Sequence, residues 1–232
     1  MLWDVFVTRN YPEVEPASKP RIKICCIGSV EEARLAIRYG ASALGLVSAM
    51  PSGPGPISEE RITEIAATVP PGVATFLLTC KQSAAEVIGQ QRRTRVNTLQ
   101  LVDVFPKEEY AVLREQLAGI RIVQVIHVSG RNSIEEAIET SSHVDALLLD
   151  SGYPSLAVKE LGGTGRVHDW GISKRIRESV SVPVFLAGGL KPENAREAFQ
   201  AVRPFALDVC SGVRTDGRLD EEKLSRFFAA LA

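Results

Sequence analysis

The sequence predicts a closed (β/α)8 barrel with a short N-terminal extension, on three observations. Short apolar runs rich in Val, Ile and Leu recur at intervals of roughly 20 to 40 residues. Segments with the apolar spacing of amphipathic helices lie between these runs. The 232-residue chain has room for eight such strand–helix units after residue 20, which matches the size of this barrel.

The apolar runs predict the strands, because a strand that is apolar on both faces is typical of a parallel sheet covered by helices. An open, doubly wound sheet is the alternative. The predicted strands are 22–26, 43–47, 73–78, 98–101, 121–127, 146–150, 183–187 and 205–209. The predicted helices are 30–39, 59–68, 84–93, 107–116, 133–140, 172–179, 192–201 and 221–231.

Helix starts carry their own signals. Ser29 followed by Glu32 fits a capping box, and Pro192 fits the first turn of a helix. The first 20 residues contain three prolines and no clear periodicity, so they are assigned to an extension packed on the barrel surface or serving as a lid or subunit contact. The predicted domains are therefore an extension at 1–20 and a barrel at 21–232.

Charge and hydropathy narrow the function classes. The chain has 27 Lys and Arg against 28 Asp and Glu, a net charge of -1, so there is no global attraction for nucleic acid or acidic lipid. No apolar run approaches the roughly 18 to 20 residues that span a bilayer, and the N-terminus lacks the pattern of a signal peptide. We expect a cytoplasmic protein, monomeric or homodimeric, that binds neither membranes nor nucleic acid.

The four cysteines form neither a disulfide framework nor a CxxC metal pattern. Cys25 and Cys26 are adjacent, whereas Cys80 and Cys210 are distant in sequence. The three histidines show no ligand spacing either, so hydrolysis at a metal held by these cysteines and a histidine is a minor alternative. We expect reduced thiols and no metal.

Glycines at three predicted strand ends indicate a phosphate site. Gly188-Gly189 follows the seventh strand, Ser211-Gly212 follows the eighth, and a run that includes Gly163 follows the sixth. Glycine permits positive φ and a close approach of backbone amides to an oxyanion, and barrels of this class often bind phosphate after strands seven and eight. Because no GxGxxG joins a strand to a helix, a small phosphorylated ligand is favoured over a dinucleotide.

Strand alternation proposes an acid–base pair. In the first strand Lys23 and Cys25 share the face predicted to meet the barrel axis, whereas Cys26 shares the opposite face with the isoleucines. Asp150 closes the sixth strand and therefore lies at the rim. Lys23 could lower the pKa of Cys25 so that it acts as a base, and Asp150 could act as an acid. The alternatives are a buried Cys that only packs and an Asp that caps a helix.

From Lys23 onwards the chain resembles the phosphoribosylanthranilate isomerase family of tryptophan biosynthesis. The matching segments are Lys23-Ile24-Cys25, Ala43 to Val47, Gln100-Leu101, Leu147 to Asp150, Gly162 to Gly165 with Asp169-Trp170, Leu186 to Leu190 with Pro192 to Asn194, and Asp208 to Val213. The order and spacing of these segments are specific, since few barrels combine the first segment with the last three.

The resemblance implies a cofactor-independent Amadori rearrangement of N-(5'-phosphoribosyl)anthranilate to 1-(2-carboxyphenylamino)-1-deoxyribulose 5-phosphate. It implies that Asp150 protonates the ribose ring oxygen as general acid and that Cys25 removes the C2 proton as general base. Backbone amides would hold the phosphate. The predicted substrate- and phosphate-binding residues are Lys23, Gly163, Gly188, Gly189, Ser211 and Gly212.

The chain departs from the family pattern at several positions. A Ser-Pro-Arg-like stretch usually follows the second strand, but residues 50–56 contain no cation, so Arg131 and Arg214 become candidate partners for the anthranilate carboxylate. Val102-Asp103 stands where the family commonly has His-Gly, and Asp103 near the rim would repel an anion. Cys26 replaces a glycine, and Arg214 replaces an acidic residue. A paralogue acting on another phosphoribosyl substrate and a non-catalytic phosphoribosyl-ligand binder are the alternative functions.

Overall fold

The computed structural model describes residues 19–152 and 167–232, and within them eight parallel strands close into a barrel in sequence order. The predicted fold class is confirmed, and the open-sheet alternative is wrong. The strands are β1 (Arg21–Ile24), β2 (Ala43–Val47), β3 (Ala74–Thr79), β4 (Thr98–Leu101), β5 (Arg121–His127), β6 (Ala146–Asp150), β7 (Val184–Leu186) and β8 (Ala206–Val209). Residues 1–18, most of the predicted extension, lie outside the described residues.

Eight α-helices in the same described ranges alternate with the strands. They are α1 (Val30–Arg38), α2 (Glu59–Thr68), α3 (Ala84–Thr94), α4 (Lys107–Gln116), α5 (Asn132–Ser141), α6 (Trp170–Ser179), α7 (Ala195–Val202) and α8 (Glu221–Ala230). In the described part of the chain, no helix is both long and apolar enough to cross a bilayer.

One predicted helix start is confirmed and the other is wrong. The amide N–H of Glu32 donates to Ser29 Oγ at 3.2 Å, so the cap of α1 is confirmed, although the Glu32 carboxylate accepts from Gly28 instead of closing the capping box. The prediction for Pro192 is wrong, because α7 begins at Ala195. The Asn194 side chain accepts from the Lys191 amide at 2.8 Å, and this local bond holds the chain in a turn before the helix.

Strand alternation divides the core into two layers. Outward side chains such as Leu147 and Leu149 pack between the strands and the helices, while Leu148 points into the barrel. The rings of Phe76 and Phe185 meet inside the barrel with centroids 5.6 Å apart. This apolar filling closes the barrel interior, so a polar cavity can form only towards its mouth.

A small structure that the periodicity did not predict follows β8. Residues Ser211–Val213 form a 3-10 turn, and Arg214–Thr215 (β9) then pairs antiparallel with Arg218–Leu219 (β10). This hairpin precedes α8 and brings Arg214 back against the end of β1, as described below.

Candidate active site

A cavity that is partly open to solvent lies at the carboxyl ends of the strands, where ligands bind in barrels of this class. Its walls come from β2, β3, β4, β6 and β8 and from the loops after β1, β2, β7 and β8. The lining residues are Cys25, Cys26, Val47, Met50, Ser52, Gly53, Pro54, Leu78, Gln100, Asp150, Ala187, Gly188, Gly189, Leu190, Asp208, Cys210 and Ser211. Among the described residues in this lining there is no Lys or Arg.

The structure brings the predicted acid and base to one cavity. Cys25 directly follows β1, Asp150 is the last residue of β6, and both are buried side chains that line the cavity. Asp150 Oδ1 also accepts from the Ser151 amide at 2.7 Å, which fixes the orientation of its carboxylate. The arrangement places a thiol and a carboxyl group where both can exchange protons with one ligand.

Lys23 lies beneath the cavity and is not part of its lining. Its side chain is completely buried, and Nζ donates to Asp208 Oδ1 at 2.9 Å while lying 5.2 Å from the centroid of the Phe76 ring. Burial alone would lower the pKa of Lys23, but the charge and hydrogen bond of Asp208 together with the charges of Cys25 and Cys26 outweigh it and raise the pKa above its usual value. Lys23 is therefore an ammonium ion held by Asp208, without a surface for direct contact with phosphate.

Gly45 on β2 makes room for this pair of functional groups. A Cβ at position 45 would lie 2.8 Å from Cys25 Sγ and 3.0 Å from Lys23 Nζ, so any side chain there would displace one of them. The strand register agrees, because Lys23 pairs with Ala43 on one side and with Asp208 on the other. The missing side chain of Gly45 lets the thiol and the ammonium group share one face.

The pKa of Cys25 is lowered below that of an ordinary thiol. The hydrogen bond with the Cys26 side chain contributes most, burial opposes the shift, and the positive charge of Lys23 adds to it. The pKa of Cys26 is instead raised well above its usual value by hydrogen bonds with Cys210 and Cys25 and by burial. Of the adjacent pair, Cys25 is therefore the one whose thiolate form is favoured.

The prediction that Cys26 faces the helix shell is wrong. Cys26 lies beyond the end of β1 with φ 61°, and this left-handed residue breaks the alternation of the strand. Its side chain lines the cavity, with Sγ 2.7 Å from Cys210 Sγ and 3.5 Å from the Pro54 carbonyl oxygen. Gly55 is required opposite it, because a Cβ there would lie 2.6 Å from Cys26 Cβ.

Arg214, a candidate partner for a substrate carboxylate, is a buried clamp on the backbone after β1 and is not among the residues that line the cavity. Its Nη2 donates to the carbonyl oxygens of Cys25 at 3.0 Å and Cys26 at 2.6 Å, and its Nη1 lies 3.1 Å from Glu32 Oε1. Glu32 also accepts from the amides of Gly28 and Leu219. Arg214 therefore ties the backbone that carries both thiols to α1.

Arg214 and two backbone amides keep the Glu32 carboxylate ionised. Partial burial favours the protonated form of Glu32, but the Arg214 guanidinium and the two amide donors lower its pKa below the usual value.

The other candidate partner for a carboxylate, Arg131, is an exposed residue immediately before α5. Neither arginine is among the cavity residues.

The loops after β7 and β8 form the part of the wall that lies between β6 and β1. Gly188 and Gly189 have φ of 84° and 63°, and no described residue accepts a hydrogen bond from either amide. Ser211 and Gly212 begin the 3-10 turn, where the first amides have no partner within the turn. Gly212 packs on the other loop so closely that a Cβ would lie 2.0 Å from the Leu190 carbonyl oxygen. Gly163 lies outside the described residues.

Sequence reasoning missed three cavity residues. Asp208 was visible as a carboxylate in an apolar strand; burial raises its pKa, the Lys23 charge pulls it back, and the Asp150 charge raises it again. Gln100 Oε1 is buried with no hydrogen-bond partner among the described residues, although Gln100 lines the cavity. The sequence around Cys210 did not indicate a place in the site, because only the fold brings Cys210 to Cys26.

The described residues contain no cluster of three or more His, Cys, Asp or Glu suited to a metal ion.

Comparison with known proteins gives one consistent result. The family described as N-(5'phosphoribosyl)anthranilate (PRA) isomerase matches residues 22–230. N-(5'-phosphoribosyl)anthranilate isomerase of Methanocella arvoryzae is 36% identical over 208 residues, which cover 90% of this chain and 95% of that protein.

Two solved structures extend the similarity to the fold. Phosphoribosyl anthranilate isomerase from Thermotoga maritima is 30% identical with a TM-score of 0.79, covering 91% of this chain and 98% of that one. A phosphoribosyl anthranilate isomerase in complex with reduced 1-(o-carboxyphenylamino)-1-deoxyribulose 5-phosphate is 28% identical with a TM-score of 0.76 and the same coverage. The chain therefore belongs to the N-(5'-phosphoribosyl)anthranilate isomerase family.

Proposed function

We propose that the protein isomerises N-(5'-phosphoribosyl)anthranilate to 1-(2-carboxyphenylamino)-1-deoxyribulose 5-phosphate without a cofactor. The observation that carries this proposal is the convergence of Cys25 and Asp150 on one cavity, with the glycine-rich loops after β7 and β8 between them on the rim. The relative solved with the reduced product analogue supports it, because its fold is the same. Both groups needed for proton transfer come from this chain.

In the proposed mechanism Asp150 is the general acid. It gives its proton to the ribose ring oxygen, the bond from C1 to that oxygen breaks, and the nitrogen lone pair forms the imine. The Cys25 thiolate then removes the proton from C2, which gives an enolamine. Tautomerisation of the enolamine produces the ketone at C2 and completes the isomerisation.

Lys23 and Asp208 act through the thiol in this proposal. The Lys23 ammonium, fixed by Asp208, contributes to the lowered pKa of Cys25 and so favours the thiolate form of the base. The proposed role of Lys23 is thus positioning and electrostatic. Gln100, whose Oε1 has no hydrogen-bond partner within residues 19–152 and 167–232, is proposed to accept a hydrogen bond from the substrate.

The phosphate is proposed to bind to amides of Gly188, Gly189, Ser211 and Gly212. Positive φ at both members of the first pair turns their backbone in a way that side-chain-bearing residues rarely adopt, and such nests bind anions. We also propose a cytoplasmic location. The proposed oligomeric state is a monomer or homodimer, and sedimentation of the purified protein measures it directly.

Steady-state conversion of N-(5'-phosphoribosyl)anthranilate by the purified protein tests the function. We expect turnover of this substrate and rescue of growth in a tryptophan auxotroph that lacks the isomerase. Absence of turnover by folded protein, together with retained binding of the reduced product analogue, would instead identify a non-catalytic binder.

The loop at 50–56 supports one alternative substrate. Met50, Ser52, Gly53 and Pro54 line the cavity, and none carries a positive charge that could pair with a carboxylate. A paralogue acting on a phosphoribosyl amine without that carboxylate fits this wall. Comparing kcat/KM for N-(5'-phosphoribosyl)anthranilate and N-(5'-phosphoribosyl)aniline decides between them: a ratio above one supports the first proposal, and a ratio below one supports the paralogue.

A further inference from the structure

Two cysteines that the proposed mechanism does not use lie side by side at the mouth of the cavity. The Sγ atoms of Cys26 and Cys210 are 2.7 Å apart, although the residues are 184 positions apart in sequence. A disulfide bond is about 2.05 Å long, so only a small movement separates the two thiols from bonding distance. Neither thiol is part of a disulfide in the structure.

The environment of the pair lets an oxidant reach it. Both residues line the open cavity, and Cys210 is only partly buried. We propose that Cys26 and Cys210 form a reversible disulfide with a hydroperoxide as oxidant, and that this disulfide switches off the isomerase. The effect on activity rests on the proposed function, whereas the formation of the bond does not.

The chemistry needs only a peroxide from outside the protein. Cys210 gives up its proton as its sulfur attacks one peroxide oxygen, so an S–O bond forms, the O–O bond breaks, and the departing hydroxide takes that proton to become water. The Cys26 sulfur then attacks Cys210 sulfur, forming the S–S bond and breaking the S–O bond. The departing hydroxide takes the proton of Cys26. In sum, two thiols lose two electrons and hydrogen peroxide is reduced to two waters.

The position of the pair couples it to both walls of the site. Cys26 is bonded in sequence to Cys25 and lowers its pKa, and Cys210 immediately precedes Ser211 of the proposed phosphate loops. In the disulfide Cys26 has lost its S–H, so this influence on Cys25 is removed. The same bond also fixes the end of β8 against the end of β1. Oxidation therefore acts on the base and on the phosphate loop together.

Mass spectrometry of peptides from the complete chain tests bond formation directly. The reduced protein is treated with hydrogen peroxide, its free thiols are alkylated, and it is cleaved with trypsin. We expect the peptide 24–34 to be linked to the peptide that contains Cys210, with the link removed by dithiothreitol. Because Cys25 and Cys26 share that peptide, the link should persist in Cys25→Ser and be absent in Cys26→Ser. Cys210 linked to Cys25, or no link, overturns the proposal.

Activity before and after oxidation tests the switch, compared within each variant. We expect peroxide to lower wild-type kcat/KM at least fivefold and dithiothreitol to restore it. The matched control Cys80→Ser should keep this response, and Cys210→Ser should lose it. A linked protein with undiminished activity overturns the switch. A reduced protein without isomerase activity contradicts the proposed function but leaves the peptide measurement valid.

Discussion

The two walls of the cavity are built in different ways. At the end of β1 the wall consists of side chains that depend on one another: Lys23 on Asp208, Cys25 on Cys26, and the backbone of both cysteines on Arg214. At the ends of β7 and β8 the wall is backbone, shaped by glycines with positive φ and by one close contact between loops. Removal of any one of these side chains should therefore disturb the first wall, whereas the second wall should be disturbed only when atoms are added to its backbone.

The largest effect is expected where the side-chain wall meets the chemistry. Cys25→Ala and Asp150→Asn each remove a proposed proton-transfer group, so kcat should fall by about 10² to 10⁴. The measurement is steady-state turnover, with circular dichroism to show that the barrel is intact. Cys80→Ala is the matched control and should keep its activity. Near-normal turnover in either site variant would remove that residue from the mechanism.

The buried ion pair should give the next largest effect, on stability. Lys23→Met leaves Asp208 buried without its partner, which typically costs about 3 to 5 kcal/mol. The double variant Lys23→Met/Asp208→Asn removes both charges and should recover much of the free energy of unfolding. Urea denaturation measures both. Equal stability of the single and double variants would contradict the interpretation of Lys23 and Asp208 as a coupled pair.

Breaking the Arg214 clamp should cost less. Arg214→Gln removes charged hydrogen bonds to Glu32 and to two carbonyl oxygens, for a loss of about 1.5 to 3 kcal/mol in unfolding free energy. The lowered pKa of Glu32 sets the pH dependence: the stabilisation is present above its unfolded-state pKa and is lost as pH falls through its folded-state value. The wild-type advantage over Arg214→Gln should therefore shrink in acid.

A surface ion pair supplies the control for the clamp. Arg61 and Glu64 form an exposed pair on α2, so Arg61→Gln should change the free energy of unfolding little. Denaturation of Arg214→Gln, Arg61→Gln and wild type over a range of pH makes the comparison. A pH-independent loss in Arg214→Gln would show that Glu32 is not the partner that matters.

The backbone wall should respond to one added methyl group. Gly212→Ala would place a Cβ 2.0 Å from the Leu190 carbonyl oxygen, so the two loops must separate. We expect KM to rise about tenfold, equivalent to ~1.4 kcal/mol, with a smaller change in kcat. Gly130→Ala is the control, because nothing lies within 4 Å of the added atom. An unchanged KM would argue against phosphate binding between these loops.

The smallest effect concerns the pH at which the base ionises. Because the pKa of Cys25 is lowered, thiolate is present at lower pH than for an ordinary thiol, and the acid limb of kcat/KM should lie correspondingly low. Cys26→Ala removes the largest cause, so the limb should move to higher pH. Cys80→Ala should leave it in place. A limb that stays fixed in Cys26→Ala would contradict the role of this hydrogen bond.

Local sequence patterns predicted the strands because the apolar residues that form each strand are neighbours in the sequence. The bounds of β2, β4, β5 and β6 agree with the predicted runs, whereas β1 ends early because Cys26 adopts a left-handed conformation. The start of α7 was misplaced because the Asn194 side chain holds a turn that competes with the helix. The resemblance identified the family, and the comparisons confirm it.

What the sequence determined by itself is the barrel, the positions of Cys25 and Asp150 at strand ends, and the glycine-rich loops, because apolar periodicity and glycine act over short stretches of chain. What only the tertiary structure decided is which distant side chains meet. The pairing of Lys23 with Asp208, the clamp of Arg214 on the carbonyls after β1, and the contact of Cys26 with Cys210 each join residues more than 180 positions apart. They follow from closure of β8 against β1, which no local pattern records.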